Sequence, residues 1–310
     1  MMLRRGRERR KPSARLVGYL MVVTASLLFG LNGNISKPLF AGGVSAITLT
    51  AFRTLIGGLC LLIVLLPGLR SSLRVPVRSL GWLLAFGVTL ALVTFTYFMA
   101  ISRLPIAIAL TIQFSAAAWM TVGEAIWRRK LPTVHVLLAL VCAFGGLLLL
   151  TGIWRADFRS LDPWGLFFAL LSLLFFIAYL LLGERVSRDM SPLAATAYGS
   201  LIAALIWFCV QPPWTIPATT WSGMNGLLIL AVGILGMALP FALHLGALQR
   251  VNPTRVGIVA NLEMVAGGLI AFLWLGETLD LWQSVGCVLV LAGLIILQYE
   301  RESPLEGLTR

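Results

Sequence analysis

Ten apolar stretches, each about twenty residues long, run through this chain at roughly 16 to 36, 46 to 66, 80 to 101, 104 to 126, 133 to 153, 163 to 183, 193 to 211, 224 to 248, 254 to 275 and 281 to 299. About twenty apolar residues are what a helix needs to cross the hydrocarbon core of a bilayer. With 59% hydrophobic residues, 12% charged residues and a mean hydropathy of +0.94, the chain carries more apolar surface than a soluble globule can bury. The spans and their connections use nearly all of the 310 residues. That leaves no room for an ATPase domain, and no Gly-x-x-x-x-Gly-Lys-Ser/Thr phosphate loop occurs. The chain reads as an all-α polytopic membrane protein.

The ten stretches also read as two copies of five. Pro105 aligns with Pro253, an offset of 253 − 105 = 148 residues, and the match continues without a gap through Ala118 with Ala266, Leu131 with Leu279 and Gly145 with Gly293. Upstream, with slight drift, Gly18 meets Gly165, and Ser45, Ala51 and Phe52 meet Ser191, Ala197 and Tyr198. Because five is odd, the second copy enters the membrane from the opposite side. Such inverted repeats are the architecture of many alternating-access transporters. The expected organisation is a basic arm over 1–15, a first repeat over 16–153, an external linker over 154–162, a second repeat over 163–299 and a tail over 300–310.

A net charge of +12 raises the question of nucleic acid, but the charges sort by membrane side. With the N-terminus inside, Arg4, Arg5, Arg7, Arg9, Arg10, Lys11, Arg15, Arg70, Arg74, Arg78, Arg128, Arg129, Lys130, Arg185, Arg188, Arg250, Arg255, Arg301 and Arg310 all fall on the inner side, 19 of the 24 basic residues. Lys37, Arg103, Arg155 and Arg159 fall outside, and Arg53 lies within a span. The positive-inside rule then places both termini in the cytoplasm. The basic arm also suits anionic lipid, although a topology signal accounts for it. No convincing small-x-small cleavage site follows the first span, which is read as a retained helix. Cys60, Cys142, Cys209 and Cys287 sit in four different spans with neither disulfide nor metal spacing. No metal and no cofactor are expected.

Polar residues inside the spans carry what functional signal there is. Asn261 and Glu263 lie eight and ten residues beyond Pro253, about 12 to 15 Å deep at 1.5 Å per residue, near the bilayer midplane. The repeat sets Gln113 and Ser115 at the same depth from the other side. Two polar pairs on related helices at the midplane suit a binding site at the repeat interface; interhelical hydrogen bonding alone is the plainer alternative. A carboxylate at that depth is costly and has to face protein or water. Glu263 therefore has three candidate roles: carrying a proton, holding a substrate ammonium, or pairing with Arg53, itself read as structural. Asn32, Asn34, Tyr97, Trp119 and Tyr179 are candidate cavity walls, and His244 is a second candidate for proton coupling. Glu124, Glu184 and Glu277 stand near helix ends and need no special role. Small residues at Gly57 and Gly58, Ser115 to Ala118, Gly145 and Gly146, and Gly267 and Gly268 permit close helix packing. Pro240 is expected to kink the eighth span.

These residues resemble the EamA family of the drug/metabolite transporter superfamily. The resemblance rests on Phe29-Gly30-Leu31-Asn32 through Lys37, Phe52-Arg53, Ala238-Leu239-Pro240-Phe241 with Ala247-Leu248, Thr254-Arg255-Val256 leading to Asn261-Leu262-Glu263, and Leu275-Gly276-Glu277-Thr278-Leu279. It covers about 16 to 299 and implies ten helices as two inverted repeats, both termini inside, and a central cavity between the halves. Where the family usually has Leu-Glu-Pro this chain reads Leu262-Glu263-Met264, so a break in the ninth span is left open. The run Ser200-Leu201-Ile202-Ala203-Ala204-Leu205 looks somewhat like the threonine/homoserine exporters.

The expected function is export of amino acids or related small metabolites across a bacterial inner membrane by alternating access. Gln113, Ser115, Asn261 and Glu263 form the expected central polar patch. The expected partners are a small-molecule substrate and the lipid bilayer, without nucleic acid, and the oligomeric state stays open. Other classes on the same scaffold are drugs or quaternary amines and nucleotide sugars; a phosphorylated substrate would want several intramembrane cations where only Arg53 is present. A passive channel is a further alternative. A membrane-embedded enzyme is disfavoured because the spans hold no aspartate, and only His135 and His244 occur in the chain.

Overall fold

The computed structural model describes residues 14–66, 75–104, 106–129, 131–155, 161–275 and 280–298. Most of the basic arm, part of the linker, Pro105, Glu277 and the tail lie outside them. Among the described residues every regular element is a helix, and none is a strand. The helices are α1 (Ala14–Ala41), α2 (Ala46–Leu65), α3 (Leu80–Ile101), α4 (Ile106–Phe114), α5 (Ala116–Arg128), α6 (Val134–Thr151), α7 (Pro163–Asp189), α8 (Pro192–Val210), α9 (Met224–Gly233), α10 (Leu239–Leu248), α11 (Pro253–Ala260), α12 (Leu262–Ile270) and α13 (Leu281–Gln298). A π turn, Ile234–Ala238, joins α9 to α10, and a second, Ala271–Leu275, extends α12. Eight of the resulting helical runs are long and apolar enough to cross a membrane; Leu281–Leu297 is shorter.

The starts are written in the sequence as caps. Asp162, Ser191 and Asn252 each precede a proline at the first helical position, and their side chains accept from the amides of Trp164, Ala194 and Thr254 at 3.0, 3.2 and 2.8 Å. Ser45 and Thr133 cap α2 and α6 in the same way. At α13, Asp280 accepts from the Gln283 amide while the Gln283 side chain accepts from the Asp280 amide, a reciprocal capping box. Two helices outrun the expected spans. α1 continues to Ala41 with Pro38 inside it, not to 36. α7 reaches Asp189, where Arg188–Glu184 and Arg185–Asp189 pairs support a polar last turn beyond the apolar stretch.

The packing is pseudo-symmetric. Under the repeat, α1 corresponds to α7, α2 to α8, α3 to α9 and α10, α4 and α5 to α11 and α12, and α6 to α13. α1 packs on α10, and α3 on α7; α1 packs on α11 and α12, and α7 on α4 and α5; α3 packs on α8, and α2 on α9 and its π turn. The two self-related pairs, α2 with α8 and α6 with α13, are also in contact.

Lipid gives apolar helices no reason to associate, so contact comes from close fit. Small residues set the closest approaches, Leu, Val, Ile and Phe side chains such as Leu90, Phe86, Leu180 and Ile229 fill the interior, and further Leu, Val, Ile and Trp side chains cover the outside. A Cβ at Gly146 would stand 2.6 Å from the Gly286 carbonyl, and one at Gly286 would stand 2.7 Å from the Gly146 carbonyl. Several buried threonines return their hydroxyl protons to their own helix, Thr54 to Thr50 O at 2.8 Å and Thr121 to Ala117 O at 2.7 Å. They therefore cost little away from water.

Two outcomes follow. Gly146→Ala forces apart the backbones of α6 and α13 and should cost about 1–3 kcal/mol. The adjacent Gly145→Ala, whose Cβ would meet nothing within 4 Å, should stay within about 0.5 kcal/mol of wild type; melting in detergent separates them. At Asp280, donation from the Gln283 amide and from Arg155 holds the carboxyl below the usual carboxylate range against partial desolvation. A depressed folded value means that the stabilisation is present above the unfolded value and is lost as pH falls through the folded one. The gap in melting temperature between wild type and Asp280→Ala should be open at pH 7 and should narrow as the solution is acidified through and below the carboxylate range.

Candidate functional site

Pro240 has no backbone N–H, so the Gly236 carbonyl four residues earlier loses its ordinary helical donor. The helix answers with the π turn, in which the Leu239 amide reaches back to the Ile234 carbonyl. The Gly236 carbonyl instead accepts a long hydrogen bond, 3.5 Å, from Nη2 of Arg53 on α2. Gly236 also has to lack a side chain, because a Cβ there would overlap the Asn32 carboxamide of α1. One backbone position thus gathers α1, α2 and the eighth span.

The opposite face of α1 seats α12. A Cβ at Gly30 would lie 2.6 Å from the Gly267 amide nitrogen, and Asn34 Nδ2 donates to Gly267 O at 3.2 Å and to Gly30 O at 2.9 Å. One turn before Gly267 is Glu263. The ninth span is interrupted at Asn261, where the Asn261 amide bonds Ile258 O and the Met264 amide bonds Asn261 O, three residues apart in each case. Glu263 therefore falls in the first turn of α12, the end of a helix that favours a negative charge.

Arg53 and Tyr97 both lie within electrostatic reach of the Glu263 carboxylate. No ion pair within 4.0 Å joins Arg53 to Glu263 and no described residue donates to the carboxylate. Arg53, Tyr97 and Glu263 are each deep in the packing yet only half-buried, as expected of side chains lining an enclosed space. Arg53 Nε and the Oδ1 atoms of Asn32 and Asn34 are sealed without a hydrogen-bond partner.

The other candidates fall elsewhere. The fourth span is interrupted at Ser115, whose hydroxyl donates to Ile112 O at 2.6 Å. The interruption lies beside that of the ninth span, with Phe114 packed in one cluster with Ala260 and Met264. Asn261 is buried, its amide turned back onto Gly257 O and Ile258 O and its Oδ1 unpartnered. Gln113 is half-buried. Tyr179 and His244 belong to a buried aromatic cluster: their side chains meet at 3.5 Å, and Phe29, Phe86, Phe176 and Phe241 stack on or abut them. No hydrogen bond or ion pair links His244 to Glu263. Trp119 is 60% exposed on an outward stripe of α5 with Val122, Ile126 and Trp127, so it does not wall the group around Glu263.

Two members of that group escaped the sequence reading. Arg53 was expected to be structural, and Gly236 was not singled out; the available signal was a proline four residues after a glycine. Glu124, expected to need no role, accepts from Asn252 Nδ2 at 3.2 Å and from the Thr254 hydroxyl at 3.0 Å, tying α5 of one half to the start of α11 of the other.

The model of the EamA-like transporter family matches residues 16–152 and again 163–299. The chain belongs to the EamA-like transporter family. Over 305 residues, 98% of each chain, it is 29% identical to the threonine/homoserine exporter RhtA of Escherichia coli (strain K12). It is 28% identical over 290 residues to the protein of that name from Salmonella typhimurium (strain SL1344), 93% of each chain. A solved crystal structure superposes with a TM-score of 0.76 at 22% identity, covering 90% of this chain and 95% of that one, and so shares the fold. The protein is a multi-pass membrane protein built from two EamA-like repeats.

The Gly236 contact yields a test of the site. Gly236→Ala should drive the Asn32 carboxamide from its place and reduce transport several-fold, as Asn32→Ala should. Because both act on one contact, the double variant should be no worse than the weaker single; additive losses in reconstituted transport would show that the two positions act separately.

Proposed function

We propose that this protein is a secondary transporter of the bacterial inner membrane that exports amino acids or related small metabolites. It works by alternating access of two inverted five-helix repeats, ten spans in all, with both termini in the cytoplasm. The observation that carries this reading is the match, over 98% of both chains, to a threonine/homoserine exporter, in a chain that gathers an acid and a base from opposite repeats at membrane depth. The orientation rests on the 19 of 24 basic residues that sort to one side.

The substrate site centres on Glu263, with Asn32 and Tyr97 beside it and the two interrupted spans, carrying Gln113, Ser115 and Asn261, packed behind. Interrupted helices at a repeat interface let the backbone change shape where it lines a cavity. Glu263 is the proton-coupling residue in this reading; His244 sits in a purely aromatic setting and is the weaker candidate. Ties such as Glu124 with Asn252 and Thr254 hold the cytoplasmic ends together and have to open when the site faces inward.

The purified protein in proteoliposomes should take up labelled threonine or phenylalanine saturably, faster with a pH gradient than without. Glu263→Gln should lose the response to the gradient. Retention of that response would remove Glu263 from coupling, and silence across an amino-acid panel with folded protein would remove the amino-acid reading.

A further inference from the structure

This inference rests on the amino-acid reading and assigns the site's two charged ends. Arg53 and Glu263 come from different repeats, stand within reach of each other's charge and do not close into an ion pair. Opposite charges in a medium of low dielectric attract strongly, so a pair that stays apart is held apart by its supports. The Arg53 support is the Gly236 carbonyl, which takes one N–H of Nη2. The Glu263 support is the first turn of α12, locked on α1 through Gly30 and Gly267. Apart from that bond, the guanidinium and the Glu263 carboxylate have no hydrogen-bond partner among the described residues, both side chains are half-buried, and the unpartnered Asn32 Oδ1 lies against Gly236, the Arg53 support.

We propose that the gap between Arg53 and Glu263 is the recognition site for the charged ends of a zwitterionic α-amino acid, whose carboxylate binds the Arg53 guanidinium and whose ammonium binds the Glu263 carboxylate. A guanidinium presents its donors in a fork that matches a carboxylate. A zwitterion turned head to tail against the protein's own charges replaces one long attraction by two short charge-assisted ones and adds no net charge to the membrane interior. An organic acid or an amine alone pairs with one pole, leaves the other without a ligand partner and adds its own net charge to a site already balanced. Tyr97, near Glu263, and Asn32, near Arg53, flank the slot; Asn32 Oδ1 is an acceptor for an ammonium or hydroxyl proton.

The test is equilibrium binding to the full-length purified protein, followed by calorimetry and thermal shift, of L-threonine, its methyl ester without the carboxylate, and N-acetyl-L-threonine without the ammonium. Wild type should bind each blocked form at least about ten-fold more weakly than threonine. Arg53→Gln should weaken threonine about ten- to hundred-fold while leaving the methyl ester unchanged, and Glu263→Gln should do the same with N-acetyl-threonine as the insensitive ligand. Arg53→Lys, which keeps the cation, should retain preference for threonine over the ester. If wild type binds none of these or any other amino acid, the functional reading fails and this inference with it. If wild type binds threonine and both blocked forms alike, or Arg53→Gln weakens all three in parallel, the charge-pole assignment is wrong while the amino-acid reading stands. Should Arg53→Gln not fold, Arg53→Lys decides: equal binding of threonine and ester by that variant overturns the assignment.

Discussion

A single missing N–H at Pro240 shapes the centre of this bundle. Water would replace the lost bond in a soluble helix, but hydrocarbon does not. The bond is made good partly by a π turn and partly by a guanidinium brought from another helix. Arg53 needs acceptors and a counter-charge at that depth, and the freed carbonyl supplies the first. Glu263, one turn from the seam between α1 and α12, supplies the second at a distance. A backbone defect and two expensive charges thus offset one another, and the place where they do so lies between the two repeats.

Around that centre, cohesion comes from shape. Large apolar side chains such as Phe86, Leu90, Leu180 and Leu245 fill the interior while others face outward, and the closest approaches are places where a glycine lets one backbone touch another, as at Gly30 with Gly267 and Gly146 with Gly286. The same pairs of helices recur under the repeat. The polar ties at the helix ends need not recur: under the 148-residue offset the positions related to Glu124 and Thr254 are Phe272 and Ile106. The duplication has kept the packing plan and let the end-to-end ties diverge.

Legibility in the sequence followed the strength of the physical signal. Span length is dictated by bilayer thickness, so segments such as 80–101 and 224–248 were placed to the residue; the caps at Asp162, Ser191 and Asn252, each just before a proline, were legible signals that the sequence reading did not use. Ends were less clear where a helix runs on past an expected break, as α1 does through Pro38, or where polar residues continue it past the apolar run, as Glu184 to Asp189 do in α7. Facing was the least legible property. A helix apolar all round has no periodicity to separate its inner and outer sides, so Trp119 and Tyr97 looked equivalent; one lies on the outside and the other beside Glu263. Arg53 looked structural because its partner is a carbonyl that becomes available only through a proline on a different span. The interruption at Asn261 needed no proline.

The separation of Arg53 and Glu263 along the chain, 263 − 53 = 210 residues, has a consequence for biosynthesis. Arg53 enters the bilayer long before its counter-charge has been made. An arginine near the middle of a span costs about 2.5 to 3.5 kcal/mol on insertion, and the remainder of α2, with the run Cys60 to Leu65, is apolar enough to carry it in. Arg53 therefore waits in the membrane without its counter-charge, and docking of the second repeat, rather than entry of any one helix, supplies it.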